Sequence, residues 1–71
     1  MISYSVEIHK NGLIIMTSHG DNYDSALAYA NAEMNNGAKR AVITKCEYRY
    51  DSDFARLKCK KRLVVFDTCA A

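Results

Sequence analysis

The sequence predicts an α+β domain: a four-stranded, mainly antiparallel sheet in the order β-β-α-β-β, with one helix packed on one face. Three observations predict it: alternating apolar residues on both sides of Asn11-Gly12, an Ala-rich segment with helical spacing, and a second pair of alternating segments between residues 42 and 63. A chain of 71 residues makes one domain. We assign residues 1–67 to this domain and residues 68–71 to a flexible C-terminal tail.

The N-terminal segment predicts a β-hairpin. Apolar and polar residues alternate from Ile2 to His9, as in a strand with one buried face. Asn11-Gly12 then supplies the two positive φ angles of a type I′ turn. A two-residue loop pairs Ile8 with Ile15 and keeps the apolar residues of both strands on one face.

The next segment predicts a helix from Tyr23 to Asn35. Its apolar stripe has spacings of three and four and comprises Tyr23, Ala26, Leu27, Ala30 and Met34. Either Asn22 or Asp21 can cap the first turn, and Asp24 adds favourable negative charge there. Gly37 is expected in the left-handed conformation that ends helices. The small Ala26 and Ala30 predict a helix lying close to the sheet.

The C-terminal half predicts a second hairpin, with its third strand beside the first. We expect one face of the third strand to be buried and to comprise Val42, Thr44, Cys46, Tyr48 and Tyr50. A loop over residues 51–54 would then pair Tyr48 with Leu57, Cys46 with Cys59, Val42 with Leu63 and Glu47 with Lys58. This register places Lys61 on the buried side, so we expect a β-bulge near Lys60-Lys61.

Size and charge bear on function. A domain this small buries a thin core, and a cavity of catalytic size would consume much of it, so we expect a protein that is not an enzyme and has no cofactor. Residues 1–38 carry a net charge of −3 and residues 39–71 a net charge of +5. The positive half can steer an acidic partner.

The candidate partner-binding residues are mainly basic and belong to the second hairpin. We expect them to form a positive strip on the sheet face without the helix: Lys45, Arg49, Arg56, Lys58, Lys60, Lys61 and Arg62. Such a strip either contacts phosphates or an acidic protein, or is a solvated edge strand protected from aggregation. Ile14 and Met16, with Ile43 on the same face, and Tyr29 on the outer side of the helix are further candidate contacts, with scattered surface apolarity as the alternative.

The cysteines and the Ser18–His19–Asp21 segment are expected to have structural roles rather than catalytic or metal-binding ones. Cys46 and Cys59 are expected to be small buried thiols, although they could pair on oxidation if their geometry allowed it. The cysteine spacing matches no zinc motif, so no metal site is expected. Ser18, His19 and Asp21 fit turn chemistry better than a catalytic triad. Without a signal-peptide pattern or an apolar run of about 20 residues, we expect a cytoplasmic protein with no membrane contact, in the bacterial host cytoplasm if it is phage-encoded.

The order of three segments, SYSVEIHKNGLIIMTS, SALAYANAEM and RAVITKCEYRY, resembles small phage-encoded inhibitors of the anti-CRISPR type. The resemblance covers residues 3–50 and includes the Tyr4-x-Val6 pattern, a turn glycine at Gly12 and an Ala-rich helix. It implies a non-catalytic protein that blocks a host nucleoprotein complex by occupying its nucleic-acid or nuclease-docking surface. The segment YDSALAYA also resembles helices of some antitoxins, which usually have an extra strand and a DNA-binding segment that are absent here.

Two functions follow as hypotheses. The first is a phage-encoded inhibitor, anti-CRISPR-like, whose partner is a host protein or protein–nucleic-acid complex. The alternative is a small basic nucleic-acid-binding module that uses the positive strip. A homodimer is compatible with both hypotheses.

Overall fold

The computed structural model describes residues 1–69 and has one four-stranded sheet and one helix. The elements are β1 (Ile2–Lys10), β2 (Leu13–Ser18), α1 (Tyr23–Asn35), β3 (Arg40–Asp51) and β4 (Arg56–Asp67). The strand order is β2-β1-β3-β4, and all three pairings are antiparallel. The predicted α+β fold class, with β3 beside β1, is confirmed.

The first hairpin has the predicted turn and register. Asn11 and Gly12 adopt φ angles of 54° and 75°, as a two-residue turn of this type requires. Ile8 pairs with Ile15 and Val6 with Thr17. The short turn therefore fixes which residues of β2 share a face with the buried residues of β1.

The helix begins and ends where its capping residues predict. The Asn22 side chain accepts a hydrogen bond of 3.0 Å from the backbone N–H of Ser25, so Asn22 rather than Asp21 caps the first turn. Gly37 follows the last turn with a φ of 96°, in the left-handed region. Ala26 and Ala30 are completely buried, which confirms that α1 packs closely on the sheet.

The core shows that the prediction chose the wrong face of β3 to pack under the helix, although Val42 and Cys46 of the predicted face are also buried, at 7% and 6% exposure. Ala41 and Ile43 are fully buried under the helix, because they pair with the buried Ile8 and Val6 of β1. Val42, Thr44, Cys46, Tyr48 and Tyr50 consequently lie on the face without the helix. β3 has apolar residues at both parities, so its own alternation could not decide the face; the pairing with β1 does.

The second hairpin forms with a register different from the predicted one. Tyr48 pairs with Cys59 and Tyr50 with Leu57, while Glu47 pairs with Lys61 rather than Lys58. Val42 lies opposite Asp67 rather than Leu63. The turn occupies residues 52–55 instead of 51–54. The turn is displaced because Ala55, with a φ of 50°, belongs to it rather than to β4.

Two β-bulges interrupt the pairing of β3 with β4. One adds Lys60 between the partners of Glu47 and Tyr48, which confirms the predicted bulge at Lys60-Lys61. The other adds Val65 between the partners of Ile43 and Thr44.

The end of β4 is tied to the start of β3. Thr68 donates its backbone N–H to the carbonyl oxygen of Ala41 at 3.1 Å, and its hydroxyl accepts from the Ala41 N–H at 3.0 Å. The last two residues of the predicted flexible tail, 70 and 71, lie outside the described residues.

Candidate binding arm

The most prominent feature of the molecule is the distal part of the second hairpin, residues 45–62, which we call the basic arm. The last residue of β3 with a partner in β1 is Glu47, opposite Ile2, so β3 and β4 continue beyond this point as a two-stranded ribbon. The molecule measures 43 × 24 × 22 Å. Its longest dimension is about the length of one 12-residue strand, and β3 and β4 are both of that length and lie side by side. The arm therefore protrudes from the sheet that supports it.

The tip of the arm is ordered by Asp51. Its carboxylate accepts a hydrogen bond of 3.0 Å from the N–H of Asp53, and its carbonyl oxygen accepts one of 3.3 Å from the N–H of Phe54. An Asp side chain that bonds the backbone two residues ahead is a common turn-forming arrangement. Ala55 completes the turn in the left-handed conformation. This conformation is energetically unfavourable for any residue that has a β-carbon.

A disulfide joins the two strands of the arm near its base. Cys46 of β3 and Cys59 of β4 are bonded, with their Cα atoms 5.8 Å apart. The sequence favoured two small buried thiols over this disulfide, and that preference was wrong. Cys46 is buried as predicted, Cys59 is half-buried, and the two side chains lie diagonally across one face of the ribbon. The bond adds a covalent link at the base of the arm, where Cys46 is still paired with Ser3 of β1. Cys69 is exposed and is the free cysteine within residues 1–69.

The basic side chains of the arm mostly share the face that carries the helix, which corrects the predicted placement on the other face. Lys45 pairs with Tyr4 on the core side of β1, and alternation places Arg49 and its partner Lys58 on the same side. This basic face comprises Lys45, Arg49, Arg56, Lys58, Lys60 and Lys61. Arg62 pairs with Cys46 and lies on the opposite face. The first turn of α1 reaches the base of the arm, where Tyr23 packs on Tyr4, the partner of the half-buried Lys45. The other five residues of the basic face are exposed.

Acidic residues neutralise the basic face only in part. Arg49 lies 3.3 Å from Glu47, and Lys60 lies 3.4 Å from Asp51. Within residues 1–69, no carboxylate lies within 4 Å of the charged groups of the other basic-face residues, Lys45, Arg56, Lys58 and Lys61. The positive potential of this face is therefore available to an external anion.

Phe54 stands at the tip, close to two of these cations. Its side chain is 62% exposed, the guanidinium carbon of Arg56 lies 5.6 Å from its ring centroid, and the Lys58 ammonium lies 5.4 Å from it. Both distances allow cation–π attraction. Phe54 was not among the candidate residues predicted from the sequence, because strand alternation does not assign a loop residue to either face of the sheet.

The opposite face of the arm is aromatic and apolar. Tyr50 and Leu57 form a cross-strand pair and are 65% and 48% exposed. Tyr48 and the disulfide continue this face toward the sheet. A shallow groove of about 280 Å³ lies beyond them on the face without the helix, with Ser3, Ser5, Thr44 and Arg62 among its lining residues.

The remaining candidate residues lie elsewhere. Ile14 and Met16 are each 60% exposed on the face without the helix, as predicted, but on β2 at the far edge of the sheet. Ile43, predicted beside them, is buried in the core. Tyr29 is half-buried, with its ring centroid 5.0 Å from that of His19, so it belongs to the packing of α1 rather than to an open contact surface.

The histidines and the strongest ion pair also lie away from the arm. Nε2 of His9 is 2.8 Å from a carboxylate oxygen of Glu7, and the His19 ring bonds the hydroxyls of Thr17 and Ser25. Arg40 donates two hydrogen bonds, of 3.0 and 2.6 Å, to Asp67. These bonds, with one from the N–H of Cys69, lower the pKa of Asp67 to about 2.

Residues 1–69 contain neither a metal-binding cluster nor a membrane-spanning helix. No three side chains of His, Cys, Asp or Glu lie close enough there to hold a metal ion. The single helix of this part of the chain is too short and too polar to cross a membrane. Comparison with models of protein families, with curated proteins and with solved structures finds no match to the chain.

Proposed function

We propose that this protein is a non-catalytic binding protein that contacts double-stranded nucleic acid through its basic arm. The observation that carries the proposal is a protruding two-stranded ribbon with six basic side chains on one face. Five of them are exposed, and four of the six have no nearby carboxylate in the described chain. Phosphate contacts by lysine and arginine supply most of the affinity of non-specific nucleic-acid binding.

The shape of the arm favours a duplex as the ligand. A two-stranded antiparallel ribbon fits the major groove of B-form DNA. The tip is compact, because Asp51 closes the turn and Phe54 packs beside Arg56 and Lys58. The disulfide and the pairing of β3 with β1 hold the base of the ribbon, so little ordering is needed on binding.

The distribution of aromatic residues disfavours a single strand. Single-strand binding proteins combine cations along the backbone with aromatic rings on which bases stack. In this arm Tyr48 and Tyr50 lie on the face opposite the basic face. A single strand that follows the cations therefore leaves both tyrosines unused and reaches one aromatic ring of the arm, that of Phe54 at the tip.

A second candidate function is the inhibitor role implied by the resemblance to anti-CRISPR proteins. The observation that favours it is the exposed Tyr50–Leu57 pair, since exposed aromatic residues on a rigid element are typical of protein contact sites. In this case the arm docks on a host nucleoprotein complex, with its apolar face on protein and its basic face toward acidic protein or bound nucleic acid.

The salt dependence of binding to a fluorescently labelled duplex tests the first proposal. Four available cations predict a slope of log K against log salt of about −4 per arm, and the double substitution Lys58→Ala with Lys61→Ala reduces its magnitude by about 2. Lys39→Ala is the matched control, because it removes an exposed lysine next to the opposite end of β3. It lowers affinity much less than Lys58→Ala or Lys61→Ala alone, each of which removes the same single charge.

Two results would contradict the nucleic-acid proposal. One is the absence of binding to any duplex at about 50 mM salt, where a protein of this charge should bind. The other is equal loss of affinity in Lys39→Ala and in each single arm variant, which would show that only net charge matters. Salt-tolerant capture of a host nucleoprotein complex, lost on Tyr50→Ala, would support the inhibitor role instead.

A further inference from the structure

The outer edge of β2 is an exposed apolar strand. Leu13, Ile14, Ile15 and Met16 are consecutive and are 65%, 60%, 41% and 60% exposed. Because side chains alternate along a strand, Leu13 and Ile15 lie on the helix side, and Ile14 and Met16 lie on the other side. The edge is therefore apolar on both faces, which is unusual for a strand that faces only water.

The backbone of this edge has hydrogen-bonding groups that point away from the sheet. The N–H of His19 donates to the carbonyl oxygen of Tyr4 at 2.9 Å, so the backbone of His19 faces β1. In an antiparallel pair this orientation alternates, which turns Thr17, Ile15 and Leu13 toward β1 as well. Ile14, Met16 and Ser18 consequently present their N–H and C=O groups outward.

The two edges of the sheet differ in their protection against pairing. β4 carries five basic residues and two bulges, both of which discourage another strand from adding. β2 contains no charged residue and no proline, and its pairing with β1 has no register shift. A second copy of the chain can therefore approach β2 without repulsion, whereas two β4 edges repel each other.

The helix leaves the β2 edge accessible. α1 packs on β1 and β3, and its fully buried residues, Ala26 and Ala30, lie in the core with Val6, Ile8 and Ile43. The helix-side residues of β2, Leu13 and Ile15, remain 65% and 41% exposed. A second copy that adds to β2 would cover them from the side.

We infer that two copies of this protein associate through their β2 strands, antiparallel, to form a continuous eight-stranded sheet. The strand is neutral and apolar on both faces, so the same patch is complementary to itself, as a two-fold symmetric interface requires. The pairing satisfies the outward groups of Ile14, Met16 and Ser18 in both copies. The two-fold axis is perpendicular to the sheet, so both helices and both basic faces lie on the same side, with the arms pointing in opposite directions.

Sedimentation equilibrium in the absence of nucleic acid tests this inference independently of the proposed function. The wild-type protein sediments as a dimer when its concentration is raised to about 100 µM. Ile14→Lys and Met16→Lys each lower the association constant at least about tenfold, because every dimer contains the charge twice. Leu63→Lys is the matched control: Leu63 is 54% exposed on β4, and its substitution leaves the dimer intact.

A measurement on the unmodified protein complements the variants. In the dimer the amide protons of Ile14, Met16 and Ser18 exchange slowly with solvent, and dilution accelerates their exchange. A monomeric wild-type protein at the highest concentration, or a dimer that survives both lysine substitutions while circular dichroism shows all variants folded, overturns the inference. Loss of the dimer in Leu63→Lys would also overturn it, since the interface would then be on β4.

Discussion

The disulfide between Cys46 and Cys59 gives the sharpest prediction about the stability of the arm. Reduction opens a loop whose ends are 13 residues apart in the chain. The chain-entropy relation for a loop of this length gives a stabilisation of about 3 kcal/mol by the bond. A 71-residue domain is stable by about 4–11 kcal/mol in total. Reduction should therefore remove a large fraction of the free energy of unfolding.

Urea denaturation followed by circular dichroism measures this effect. The oxidised and the reduced protein are compared at the same pH, in the background Cys69→Ser so that the exposed free thiol cannot form intermolecular bonds. We expect the free energy of unfolding to fall by about 2–3 kcal/mol on reduction. Cys69→Ser alone should change it by less than about 0.5 kcal/mol, because Cys69 is exposed.

Two results would refute the reasoning. Equal stability of the oxidised and reduced proteins would show that the bond does not constrain the unfolded chain. A thiol assay that detects three free cysteines in the folded, air-oxidised wild-type protein, or two in Cys69→Ser, would show that Cys46 and Cys59 are not bonded.

Three further predictions concern the fold. The free energy of unfolding should decrease as the pH falls from about 4 to about 2. Asp67 has a pKa of about 2 in the folded state against an ordinary value of 3.8, so the unfolded chain takes up the proton first. Urea titrations at several pH values should show a smaller decrease in Asp67→Asn. Ile43→Ala should cost about 2–5 kcal/mol in the same denaturation assay, and Thr44→Ala less than about 1 kcal/mol, since only Ile43 is fully buried; equal costs would contradict the assigned face of β3. Ala55→Gly should raise the thermal midpoint and stabilise by up to about 1 kcal/mol, since Ala55 has a φ of 50° and glycine adopts this conformation freely; a lower midpoint would contradict that.

Local signals predicted the first hairpin and the helix. Asn11-Gly12 specifies a two-residue turn, and the turn fixes the register, so no distant contact is needed to predict the pairing of Ile8 with Ile15. Asn22 and Gly37 likewise mark the helix ends through their own hydrogen bonds and dihedral angles. These features are encoded within a few residues, and the sequence is sufficient to find them.

The second hairpin depends on contacts that are distant in the sequence. Its four-residue turn requires Ala55 to adopt a positive φ, which nothing in the sequence indicates. The buried face of β3 is set by pairing with β1, some 35 residues earlier in the chain. Because Ala41 and Ile43 are as apolar as Val42 and Cys46, the alternation of β3 alone fits either face.

The candidate site was predicted in composition but not in position. The basic residues of the second hairpin were identified from the sequence, and most of them do share one face. That face is the helix side because β3 turns the opposite face to the helix from the one predicted, and the paired residues of β4 follow β3. The bulge at Lys60 was predictable, because strict alternation along β4 would place Lys61 on the same face as the apolar Leu57 and Cys59.

The central claim is that the basic arm binds duplex nucleic acid, and an NMR titration tests it most directly. A ¹⁵N-labelled sample is titrated with a short DNA duplex while the backbone amide signals are followed. We expect the largest shift changes in residues 45–62, strongest around Phe54 and Lys58, and small changes in α1. Shift changes confined to α1 and the first hairpin, or none at saturating duplex, would contradict the claim.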